Sequence, residues 1–174
     1  MNEFTNETID TTTLPKFEEV KLTPLHPSYL NVVWLNLAIV FGIIAIAAGA
    51  VFYLAEEVQP YWIPVTIVYV VILLLTILIS FINFRNRGFA FRAHDVIYRS
   101  GAIAITTAII PYNRAQHVAM HEGWLSRRLG LAEVEIFTAG GDKSDIKIPG
   151  LEKEHAENIK QLLMGKILKQ DTDE

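Results

Sequence analysis

Two long apolar runs dominate the hydrophobic pattern of this chain. Between Asn31 and Phe84 the only charged side chains are Glu56 and Glu57. A bilayer core is about 30 Å thick and a helix rises about 1.5 Å per residue, so about 20 apolar residues cross it. The runs from about Val32 to Ala55 and from Tyr61 to Phe84 are both long enough. They predict transmembrane helices over 29–55 and 61–84, an extracytoplasmic turn at 56–60 and an N-terminal tail over 1–28. A buried helix pair in a soluble core is the competing reading, and two uncharged runs side by side argue against it. A cleaved signal is also disfavoured. The first run begins far from Met1, lacks a basic residue just before it, and exceeds the usual apolar length.

From Gly88 the pattern shortens. Phe89 to Arg92 alternates, His94-Asp95 reads as a turn, and Val96 to Arg99 reads as a strand. Ser100-Gly101 is a breaker before a β-prone run from Ala102 to Ile110. Gln116 to His121 and Leu131 to Thr138 are further strands. The second sets Val134, Ile136 and Thr138 on one face, with Glu133, Glu135 and Phe137 on the other, where the carboxylates are expected to meet water. Gly140-Gly141-Asp142 reads as a hairpin turn, and Asp145 to Ile148 as a short strand ended by Pro149-Gly150. The period then changes to that of a helix, with Ala156, Ile159, Leu163 and Ile167 on one stripe. The expected fold is α+β: a transmembrane hairpin, then an antiparallel barrel or sandwich over 88–170 capped by a C-terminal helix.

Aromatic and charged residues refine the membrane reading. Tyr29, Trp34, Tyr53, Tyr61 and Trp62 fall at the span ends, where such rings prefer the headgroup level. The 56–60 turn has no Lys or Arg, whereas Arg85, Arg87 and Arg92 follow the second span and Lys16 and Lys21 precede the first. This bias predicts cytoplasmic termini in a multi-pass membrane protein. The net charge of −4 leaves no strong basic excess anywhere, which argues against a nucleic-acid partner. Absence of cysteine excludes disulfides and thiolate chemistry. No ionisable side chain interrupts either span, so transport by this chain alone is disfavoured. Ala38, Gly42, Ala45 and Gly49 share one helix face, which suits close packing against the hairpin partner or against another copy.

The run PYNRAQHVAMHEGWLSRRLGLAEVEIFTAGG, from Pro111 to Gly141, resembles the signature of bacterial pleckstrin-homology (PH) membrane proteins of the YdbS type. Pro111, Tyr112, Arg114, Gln116, His117 and Val118 match its first strand. Leu125, Arg127, Leu129, Gly130 and Leu131 match its helical turn, and Thr138, Ala139 and Gly140 its closing strand. Ile148 to Leu151 and Leu25-His26-Pro27 fit as well. Ala115 stands where the family usually has a larger aliphatic residue. The resemblance implies a PH-like domain and a partner that is a larger membrane protein with several such domains. It implies no reaction and no cofactor.

No catalytic constellation emerges. His117 and His121 lack the intervening Glu of a zinc-protease helix, Val118 standing there instead. In eukaryotic PH domains a basic loop between the first two strands grips phosphates; Ala93-His94-Asp95 has no such residue. Arg114, Gln116, His117, Trp124, Arg127 and Arg128 remain as interaction or headgroup candidates, with Arg92 and Arg99 as further basic side chains. Trp124 suits either an interface anchor or the barrel core. Three functions stay open: a non-enzymatic assembly module acting as a homo-oligomer or beside a paralogous multi-PH-domain protein, an anionic-headgroup sensor, and an accessory subunit in export or envelope-stress resistance.

Overall fold

The computed structural model describes Thr8 and residues 17–140 and 145–173. Helices α1 (Tyr29–Leu54) and α2 (Trp62–Asn86) are joined by a 3-10 segment, Glu56–Tyr61. Both are long and apolar enough to cross a membrane, and their apolar windows are not buried in the protein. They run antiparallel as neighbours. The Tyr69 hydroxyl donates to the Phe41 carbonyl at 2.9 Å, with the two rings edge to face. At the other end Tyr29 stacks on Phe84. The Thr76 hydroxyl donates to the Ile72 carbonyl within its own helix, so it presents no unpaired donor to hydrocarbon.

Among the described residues, seven strands form two antiparallel sheets. The first is ordered β1-β2-β3-β4 and the second β5-β6-β7. They comprise β1 (Thr23–Pro24), β2 (Gly88–Phe91), β3 (Asp95–Ser100), β4 (Thr106–Pro111), β5 (Ala115–His121), β6 (Leu131–Thr138) and β7 (Ile146–Glu152). A short helix α3 (Trp124–Arg128) links β5 to β6, and α4 (Lys153–Asp173) closes the domain. Phe89, Val96, Tyr112, Ile136, Ile148 and Leu163 are among the side chains that meet in the shared core. The α4 stripe lies as the sequence predicts: Ala156, Ile159 and Leu163 are buried and Ile167 packs at the edge.

Several features depart from the sequence reading. Residues 22–28 are built into the domain, with Thr23 opposite Phe89 and Leu25 buried in the core. The β-prone run from Ala102 does not begin as strand. Gly101 takes φ +124°, and Ser100 pairs with Thr106, leaving 101–105 as a hairpin loop. β7 passes through Pro149-Gly150, because these two residues form a bulge opposite Glu133 between the pairs Ala132–Leu151 and Val134–Ile148. A bulge accepts proline, which lacks a ladder donor, and glycine supplies the left-handed φ of +65°. The carboxylate of Glu135 is not in open water: only 8% of the side chain is exposed. Gly141 and Asp142 lie outside the described residues.

Candidate functional site

The two helices and the domain are joined with almost no linker. Arg87 alone separates α2 from β2. On the other side, β1 leads through Leu25-His26-Pro27 into α1. The His26 N–H donates to the Gly150 carbonyl at 2.9 Å, and His26 Nδ1 accepts from the Ser28 N–H at 3.2 Å. The tripeptide therefore fastens the domain to the start of the membrane helix. Tyr29 lies so close over Gly150 that an added Cβ would stand 2.6 Å from its Cγ. A third tie comes from the β3–β4 loop. The Gly101 N–H donates to Asn83 Oδ1 at 3.1 Å, and Asn86 Nδ2 donates to the Gly101 carbonyl at 3.0 Å.

α3 packs beside the first turns of α1. A cleft there is lined by Tyr29, Val32, Asn36, His121, Trp124 and Glu133. Trp124 is 62% exposed, so it does not fill the core. Arg127 and Arg128 are exposed and form no ion pair among the described residues. A cluster of Trp and two Arg beside the entry to a membrane helix has the amphipathic character of an interfacial contact.

The other candidates lie apart from α3. Arg114 is exposed at the turn between β4 and β5, beside a groove formed with Ile109, Asn113, Thr138 and Ala139. Gln116 and His117 border a second, apolar groove formed by Val118 of β5 with Lys160, Met164 and Ile167 of α4. His117 stacks on Phe137, ring centroids 4.1 Å apart. His121 instead bonds Glu135 at 3.0 Å. The two histidines thus have separate partners. The six candidates do not form one site.

Glu135 is also held by Lys147 at 2.7 Å. The Lys147 hydrogen bond pulls the Glu135 carboxyl below the usual carboxylate range, against the opposing effect of desolvation, and His121 adds to the lowering. The same bond raises Lys147. At the β2–β3 turn, Arg92 donates from Nε and Nη2 to the two carboxylate oxygens of Asp95, a bidentate pair that offsets its charge. Tyr112 is buried and its hydroxyl donates to the Arg92 carbonyl at 2.7 Å; burial pushes its ionisation upward. Arg99 Nε donates to the Asn86 carbonyl at 3.3 Å, which turns it toward the helix–sheet joint.

The small-residue face of α1 is not consumed by the hairpin. A Cβ built at Gly42 or Gly49 meets nothing within 4 Å. Ala38 and Ala45 are exposed on the same helix. Phe41 and Tyr69 make the contact with α2 instead. Of the two packings that the small residues suit, α2 does not approach Gly42 or Gly49, and the face stays open.

An α+β domain built directly onto two apolar helices defines a membrane protein with a PH-like module. The chain belongs to the bacterial PH domain family, whose model matches residues 31–167. It is also similar to a Bacillus subtilis (strain 168) protein, the UPF0699 transmembrane protein YdbS, with 37% identity over 67 residues. That match covers 38% of this chain and 40% of the relative. No solved structure matches.

Proposed function

We propose that this chain is a non-enzymatic assembly module of the bacterial inner membrane, joining a second copy of itself or a paralogous protein with several PH-like domains. The observation that carries this reading is the free edge of β4. The strand pairs only with β3 among the described residues, and its sequence, Thr106 to Pro111, has no charged side chain. Natural edge strands are normally blunted by charge, and an unblunted one is a template for strand addition. The open Ala38–Gly49 face of α1 supports the same reading within the bilayer. Near-linkerless attachment strengthens it further. A domain fixed on the membrane meets other membrane-bound domains at high effective concentration. Cytoplasmic placement of both termini rests on the Arg85, Arg87 and Arg92 cluster.

Site-directed photocrosslinking from Ile109, which is 39% exposed, tests the proposal in native membranes. The expected products are adducts with a second copy or with another membrane protein. A strictly monomeric chain without adducts at this edge refutes it. A second reading, headgroup binding, is favoured by the unpaired Arg127 and Arg128 beside Trp124. Each is worth on the order of 1 kcal/mol near an anionic surface.

A further inference from the structure

We infer that the β3–β4 hairpin loop, residues 101–105, is a membrane-inserting element that dips into the bilayer beside the end of α2. The topology sets its direction. β2 leaves the membrane helix at Gly88, and β3 returns antiparallel to it, with Arg99 opposite Gly88. Residues beyond Arg99 therefore run back past the start of the sheet and along the last turn of α2. Two hydrogen bonds, Gly101 N–H to Asn83 Oδ1 and Asn86 Nδ2 to the Gly101 carbonyl, hold the loop at that level. Phe84 is the last residue of the apolar run and Arg85 the first charge after it, so this is the hydrocarbon boundary.

The chemistry of the loop matches that position. Ile103 is 90% exposed and Ile105 is also exposed. No charged side chain or histidine occurs between Gly101 and Pro111. Two protruding isoleucines on an uncharged turn carry a cost in water that an acyl-chain environment removes. The backbone is specialised for the turn as well. At Gly101, φ +124° and an Ala104 carbonyl oxygen only 1.9 Å from a built Cβ exclude any side chain. The bilayer is the occupant that fits, because the loop continues a surface, the outside of α2, that is already apolar and exposed. Insertion of the loop requires no partner on β4.

The chain has no cysteine, so a single introduced one reports its own position. Ile103→Cys and Ile105→Cys are each labelled with an environment-sensitive fluorophore in the full chain, reconstituted in proteoliposomes of bacterial-type lipid. His94→Cys is the control, since the β2–β3 turn lies at the far end of the same strands, about 17–20 Å away. The expected result is strong quenching at 103 and 105 by nitroxide-labelled lipids, with iodide quenching several-fold weaker than at 94. Labels at 103 and 105 as open to iodide as at 94 overturn the inference. Labels shielded from both iodide and lipid also overturn it, because a protein then covers the loop. Both loop positions point outward, so each variant folds without a packing loss, and a thermal melt matching the parent verifies this.

Discussion

Tyr29 rests on Gly150, its Cγ 2.6 Å from where a Cβ on that glycine would stand. The first residue of α1 is thereby packed against the bulge of β7. Gly150→Ala introduces a clash and a non-glycine residue at φ +65°. Backbone strain of this kind alone costs about 1–3 kcal/mol. A lower midpoint is expected in thermal unfolding of the detergent-solubilised full chain. Combining Gly150→Ala with Tyr29→Ala removes the clash and leaves the backbone term, so the double variant should lose less than the two single losses added together.

Adjacent leucines of α4 have opposite roles. Leu163 is fully buried, whereas Leu162 is 46% exposed. Leu163→Ala is expected to cost about 2–5 kcal/mol by leaving a cavity. Leu162→Ala is expected to stay within about 0.5 kcal/mol. Denaturant unfolding of the full chain separates them, and equal losses would show that α4 is not seated as described.

Glu135 makes stability depend on pH. Its carboxyl is lowered by Lys147, so the folded state favours the charged form. The contribution is complete above the unfolded carboxylate range, about pH 4. It is lost as pH falls through the lower folded value. Lys147 is raised, so its share is complete at neutral pH and is lost only in strong alkali. The stability gap between wild type and Glu135→Gln should be widest near neutrality and close on acidification. A gap that stays constant from neutral to acid pH would contradict the assignment.

Headgroup contact by α3 is tested with the full chain in nanodiscs of neutral or anionic lipid. Anionic lipid should raise the melting temperature of wild type more than that of Arg127→Ala/Arg128→Ala. High salt should erase the difference, since exposed charges are screened. A lipid response equal in both proteins eliminates this role for the arginines.

Periodicity was enough for the membrane helices and for the α4 stripe. Each is long, and its residues repeat against a uniform surface. The strands of the PH-like domain were mostly legible for the same reason, through alternation at Phe89–Arg92 and Leu131–Thr138. What escaped was set by contacts distant in sequence. Thr23 pairs with Phe89 across the whole hairpin, and nothing in Leu22–Pro24 announces a strand. Pro149-Gly150 reads as a breaker locally but is a bulge once β6 lies beside it. Glu135 alternates onto a nominally wet face, yet Lys147 and His121 cover it. Among the further basic side chains, Arg92 is paired with Asp95, a neighbour within the same turn. Trp124 could be placed only after α3 was seen against α1.

With Arg87 as the sole spacer on one side and the His26–Gly150 bond on the other, the sandwich has no swivel. Helices that are too long for a thin bilayer respond by leaning. Here any such lean is expected to pass directly to the domain, with α4 packed on it. Bilayer thickness is thereby expected to bear on the tilt of the domain against the membrane plane.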